Sequence, residues 1–342
     1  MGPSSTRDYT PHSVEVPEGG RWASITRRPP LKLLGAAAAV LLIGVPVALA
    51  LATRHGSQSS AGAPPPPPPA PPAAAPAFPS PPPNAVVFAR ELGPDALALA
   101  VVPRSGSAVL QASVVGQLGQ GVRGLDIAFT VGGISKRATP CGPGCYRATV
   151  AAPARPRAVD VHVRGTPVAG RWHVPMPAAW PPRDASALVT GADRAWRSLR
   201  SLAFLEAIAS DPRHKLRSTW QVEAPDRLAY QILGGWDGIV VGDRRWDRPP
   251  GGKWKASPQS PVTQPVPPWL AAMDARVLGA TTVRGKPAWK VSFFDPKAHA
   301  WFTLLLDRAT LRTLDSRMTT TAHFMHDVYH SFNRSPAIRP PE

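Results

Sequence analysis

Hydrophobic and polar positions change their period several times along this chain. Residues 33–52 form an apolar run without a charge, about the 20 residues a helix needs to cross a bilayer. Beyond residue 85 the period becomes two, in Val109-Leu-Gln-Ala-Ser-Val-Val115, Leu125-Asp-Ile-Ala-Phe-Thr-Val131, Tyr146-Arg-Ala-Thr-Val150 and Val159-Asp-Val-His-Val163. Gly and Pro punctuate these runs roughly every ten residues, which predicts an antiparallel β-sandwich of immunoglobulin type over residues 85–176. Helical spacing follows across residues 187–205, where Leu188, Ala192, Ala195, Leu199 and Leu202 share one stripe.

From Lys215 the period returns to two. Trp220, Val222 and Ala224 face one way, Pro225-Asp226 turns the chain, and Leu228, Tyr230 and Ile232 alternate on the way back, which predicts a hairpin. Strands follow at Ile239-Val-Val241 and near Trp246, bracketed by Gly234-Gly235 and Gly242-Asp243. Residues 268–277 predict a short helix with proline at its start. Residues 288–294, 300–307 and 313–323 then predict a second meander, so residues 183–333 are expected to form an α+β half-barrel. The expected fold class is mainly β and multidomain.

Composition adds the parts that do not pack. Many of the 44 prolines fall in residues 64–83, so residues 54–84 are expected to be a disordered, extended Pro/Ala-rich linker. Arg27, Arg28 and Lys32 precede the apolar run and only Arg54 follows closely. The positive-inside rule then makes residues 1–32 a cytoplasmic tail, residues 33–53 a transmembrane helix, and everything later extracytoplasmic. The same run also fits a cleaved export signal, because Ala48-Leu-Ala50 and Ala50-Leu-Ala52 are small-residue cleavage patterns. Residues 334–342 are expected to be a disordered tail. The formal net charge is +17, and residues 1–54 supply three of it: six Lys or Arg against Asp8, Glu15 and Glu18. The remaining excess lies where anionic envelope surfaces, and not nucleic acid, are the available partners.

Both cysteines sit in Cys141-Gly-Pro-Gly-Cys145. In an oxidising compartment a disulfide is the default for this spacing, with a redox pair and a metal site as the alternatives. Together with Val122-Arg-Gly-Leu-Asp-Ile127 and the following Tyr146-Arg147, this segment resembles the Ig-like extracytoplasmic modules of CopC/CopD/YtkA-type copper-resistance proteins. The resemblance implies location and architecture; His162 is read as a strand residue, with no His or Met neighbour at ligand spacing.

Three further segments resemble the LolA/LppX family of envelope lipid carriers: the Ala224-Pro-Asp-Arg-Leu228 hairpin, Gly242-Asp-Arg-Arg-Trp246, and the Trp301 strand ending in Asp307-Arg-Ala-Thr310. The closing Asp327-Val-Tyr-His-Ser-Phe-Asn333 fits the same pattern. That resemblance implies a curved sheet round an apolar cavity and a lipid or lipoprotein acyl chain as partner. Trp220, Val222, Tyr230, Trp289, Val291 and Phe293 are the expected cavity lining, the alternative being that they fill a closed core. No lipidated cysteine is present, so a tethered protein is expected in place of a diffusing one.

Met318, His323, Met325, His326 and His330 form the other candidate site. Thioether and imidazole together suit copper, above all Cu(I), while the alternative is a solvated final strand and tail. No other cofactor is implied. His-Glu-x-x-His, Gly-x-Ser-x-Gly and phosphate-loop patterns are missing from the sequence, and no carboxylate pair with an acid–base role is evident, so a non-catalytic protein is expected. The leading expectation is a membrane-tethered binder of a hydrophobic ligand. Copper handling and envelope sensing or interaction are the alternatives.

Overall fold

The computed structural model describes residues 78–342 except 152–154 and 167. The expected cytoplasmic tail, transmembrane helix or signal, and most of the linker lie outside the described residues. Among the described residues no helix is long and apolar enough to cross a membrane.

Strands β1 (Val86–Leu92), β2 (Asp95–Arg104), β3 (Ser107–Val115), β4 (Asp126–Val131), β5 (Ile134–Arg137), β6 (Thr139–Gly142), β7 (Cys145–Ala151), β8 (Ala158–Arg164) and β9 (Gly170–Pro175) come first. They form two antiparallel sheets, ordered β1-β2-β3-β7-β6 and β5-β4-β8-β9. The period-two runs explain the packing: Ile127, Phe129 and Val131 on β4 and Val159, Val161 and Val163 on β8 turn inward to meet Leu97, Leu99, Leu110 and Val114. Cys141 and Cys145 are joined by a disulfide across the tight turn between β6 and β7.

Helix α1 (Ser186–Arg197) then leads into β10 (Ser201–Ala209), β11 (Lys215–Glu223), β12 (Arg227–Ile232), β13 (Asp237–Val241), β14 (Arg244–Arg248) and β15 (Lys255–Pro258). After a loop come β16 (Met273–Val283), β17 (Lys286–Asp295), β18 (Ala300–Asp307), β19 (Thr313–Thr320) and β20 (His323–His330). All eleven strands make one antiparallel sheet, ordered β15-β14-β13-β12-β11-β10-β20-β19-β18-β17-β16. β20 inserts between β10 and β19, so the last strand of the chain is central and well paired, not a solvated tail.

The helical stripe is shorter than its spacing predicts. Ser198 closes the helix, Leu199 lies in the turn, and Leu202 already belongs to β10, where it joins the same core from a strand. The helix expected at residues 268–277 does not form. Its backbone is held by Asp295, whose Oδ2 accepts the N–H groups of Leu270 and Ala271 at 2.6 and 3.1 Å. Residues 273–277 continue as strand β16, sending Ala275 and Val277 into the core. A carboxylate distant in sequence thus satisfies donors that a helix would have left at its own first turn.

The two modules share a third apolar layer. Ala96, Ala98, Ala100 and Val102 on the outer face of β2 pack with Phe294, Trp301 and Phe324 on the outer face of the large sheet. Phe78 caps this layer, its ring centroid 4.7 Å from that of His299 and 5.4 Å from that of Trp301. Residues 334–342 carry no helix or strand, yet Ile338 is buried, its N–H donating to Glu223 Oε2 and its carbonyl accepting from Arg227.

Candidate functional site: the inner face of the large sheet

Strand alternation gives the eleven-stranded sheet two faces. The outer one meets the sandwich; the inner one meets α1. Across β12, β11, β10 and β20 the register aligns Tyr230, Trp220, Phe204 and Tyr329 in one inward row. The Trp220 ring lies 5.8 Å from Phe204 and 4.8 Å from Tyr230, and the Tyr230 ring lies over Gly238, where a Cβ would come within 2.2 Å of it. Only glycine fits there. Trp196 of α1 closes over this row edge-on to Tyr329, and its Nε1–H donates to Thr313 Oγ1 at 2.9 Å.

All six expected lining residues point inward. They do so in different settings. Val291 and Phe293 have no exposed surface, and Phe293 stacks on Phe302 at 5.3 Å under Trp269, so this part of the interior is filled. Val222 and Tyr230 are buried, while Trp220 is partly exposed. The Tyr230 hydroxyl accepts from Arg245, which is itself ion-paired to Asp247 at 2.8 Å. Trp289 carries the guanidinium groups of Arg183 and Arg308 over its ring at 4.4 and 4.1 Å.

The next inward row is polar. Ser218, Glu206, Asp327 and Ser316 are consecutive cross-strand partners on β11, β10, β20 and β19. Glu206 Oε2 accepts from Ser218 Oγ at 2.7 Å and Trp220 Nε1 at 2.9 Å. Asp327 Oδ2 accepts from Tyr329 at 2.8 Å and Ser316 at 3.4 Å, while the buried Oδ1 has no partner. Burial, and then the Glu206 charge opposite, push the Asp327 carboxyl up to about 7. The local sequence does not mark Glu206 and Asp327 as inward-facing; the β10–β20 pairing makes them neighbours.

Past this row the inner face is apolar again and less covered. Ile208 pairs with Leu216, and Ile232 with Trp236 through the Ile232 N–H to Trp236 carbonyl bond. Leu216 is 53% and Trp236 49% exposed. The cluster that α1 joins extends to Trp220 and Ile232 but does not take in Ile208 or Leu216. Clefts of about 340 and 270 Å³ lie elsewhere, on the outer faces of β4–β8 and β11–β14.

The Met/His residues separate. Met318 lies directly opposite Met325, and His323 is two residues from Met325 on the same inner face. His326 faces outward in contact with Asp315 at 2.7 Å, and His330 faces outward beside Ser331. The five therefore do not converge on one point. Among the described residues no three His, Cys, Asp or Glu side chains form a metal-binding group.

No family model matches the sequence, and no curated protein matches it. Among solved structures, LprF from Mycobacterium bovis is similar at 10% identity and a TM-score of 0.34, over 46% of this chain and 96% of that one. A LolA superfamily protein from Nitrosomonas europaea is similar at 11% identity and a TM-score of 0.20, over 43% and 92%. A DUF1329 family protein from Desulfovibrio piger is similar at 9% identity and a TM-score of 0.24, over 44% and 92%.

Proposed function

We propose that the chain is a membrane-tethered extracytoplasmic protein whose C-terminal module, a half-barrel of LolA type, holds the hydrocarbon part of a lipid or lipoprotein without catalysis. One observation carries this reading. The inner face of the large sheet runs on from its packed core, with Ile232 at its edge, to Ile208, Leu216 and Trp236, which lie outside the cluster that α1 joins. Inward-facing apolar side chains left partly bare at one end of a curled sheet are what an alkyl chain would cover. The strand order β2-β3-β7-β6 against β5-β4-β8-β9 supports an immunoglobulin-type sandwich as its rigid neighbour.

The test is photolabelling of the full chain with a diazirine-bearing twelve-carbon chain, followed by peptide mapping. Label is expected within residues 201–223 and 227–241 and is expected to fall at least about fivefold in a Leu216→Glu variant, since a buried charge opposes an apolar ligand. Label spread over the outer faces, unchanged by the substitution, would sink the proposal.

A second reading, extracytoplasmic copper handling, is favoured by the direct Met318–Met325 pairing with His323 beside it. Two thioethers and one imidazole would suit Cu(I). Competition of the full chain against a colorimetric Cu(I) chelator decides it. A Met318→Leu/Met325→Leu variant should bind at least about tenfold more weakly, as loss of even outer-sphere partners costs that much; equal affinity dismisses the pair.

A further inference from the structure

The polar row on the inner face is costly unless something answers it. Glu206 and Asp327 are direct cross-strand partners, which places their Cβ atoms about 5 Å apart. The Asp327 side chain is 2% exposed, and its Oδ1 is buried without a partner. Both hydrogen bonds of Glu206 fall on Oε2. An apolar pair at these positions would carry no such cost.

No positive side chain of the four central strands offsets these charges. Alternation puts Leu202, Phe204, Glu206 and Ile208 of β10 inward, with Leu216, Ser218, Trp220 and Val222 of β11. Ser316, Met318 and Thr320 of β19, and His323, Met325, Asp327 and Tyr329 of β20, complete that face. Lys215, Arg217 and Arg317 of the same strands point outward with Ala209, Ala207 and His326. Arg245, further along the interior, is neutralised by Asp247. His323, two positions from Met325 and four from Asp327, is the one histidine on the inward face of these strands.

We propose that this pair receives the protonated amine of an amphiphile whose alkyl chain lies on Ile208, Leu216, Ile232 and Trp236. This rests on the hydrophobic-ligand reading and adds the class of headgroup. A primary ammonium has three donors. It would bridge the free Asp327 Oδ1 and Glu206, at N···O distances near 2.8 Å that the cross-strand spacing allows. Charge and polarity are then matched along one ligand: hydrocarbon against the open apolar lip, cation against the paired carboxylates. An anionic headgroup would meet two like charges, and an alcohol would leave both carboxylates without a counter-charge.

The experiment is displacement of the diazirine probe from the full chain at pH 7.5 by dodecylamine, dodecanol and dodecanoate. Dodecylamine is expected to displace at a concentration about tenfold below dodecanol, the effect of one charge-assisted hydrogen bond, with dodecanoate weakest. Glu206→Gln, which keeps an acceptor for Ser218 and Trp220, should erase the preference for the amine over dodecanol. Its tryptophan fluorescence and urea-unfolding midpoint report whether the interior is folded. Asp327→Asn should likewise erase the preference. Equal potency of amine and alcohol in the wild type overturns the headgroup assignment alone, as does a preference that survives both substitutions. Failure of all three compounds to displace inner-face label overturns the hydrophobic-ligand reading and this assignment with it.

Discussion

Asp295→Ala is expected to lower the unfolding free energy by on the order of 4 kcal/mol, the largest loss from any single polar side chain in the large sheet. Asp295 has no exposed surface and accepts four backbone N–H groups. Leu270 and Ala271 donate to Oδ2, Lys297 and Ala298 to Oδ1 at 2.8 and 3.0 Å. Each buried donor left unsatisfied costs about 1–3 kcal/mol, and water reaching the loop recovers part of the sum. Against a total stability of about 5–15 kcal/mol this is a severe loss. Asp295→Asn keeps one acceptor oxygen and turns the other into a donor facing two donors, so it should recover less than half. Urea unfolding followed by tryptophan fluorescence reads both, since Trp269 lies beside the released loop. A loss below about 1 kcal/mol would show that water replaces the carboxylate fully.

The same residue explains one error in reading this chain from its sequence. Pro268-Trp-Leu-Ala-Ala-Met-Asp carries a proper helix start, and local propensity favours a helix. The competing signal, an aspartate about 25 positions later, is invisible to any local pattern. Where a strand's period-two alternation was unbroken, as at Trp220–Val222 or Leu228–Ile232, sequence and structure agree, because alternation encodes burial directly. At Leu199 and Leu202 a helical stripe and a strand face coincide for a few residues, and only the Ser198 helix end separates them. The inner-face position of all six expected lining residues was legible for the same reason. The Glu206–Asp327 pair was not, since it depends on β20 returning to the middle of the sheet beside β10.

That placement makes stability depend on pH in an unusual direction. Most carboxylates here with a perturbed pKa, such as Asp126 held low by Arg137, favour folding above their ordinary range. Asp327 does the opposite. Its pKa rises from 3.8 to about 7 through burial first and then the Glu206 charge, with Asp315 adding to it and the Tyr329 and Ser316 hydroxyls opposing. Between those two pH values the folded chain binds a proton that the unfolded chain has lost. Stability from this group is therefore fully present below pH 3.8 and declines until pH 7, by on the order of 4 kcal/mol. Asp327→Asn resembles the protonated acid and cannot ionise. The wild type minus variant difference in unfolding free energy should thus become less favourable to the wild type as pH rises from 4 to 8, levelling off above about 7. Differencing the two proteins cancels Asp126, Asp211 and every other group that titrates in both. A difference independent of pH would mean that Asp327 keeps an ordinary pKa, with solvent or an ion reaching Oδ1. A difference that disappears when dodecylamine is added would show the ammonium supplying the missing counter-charge at that same oxygen.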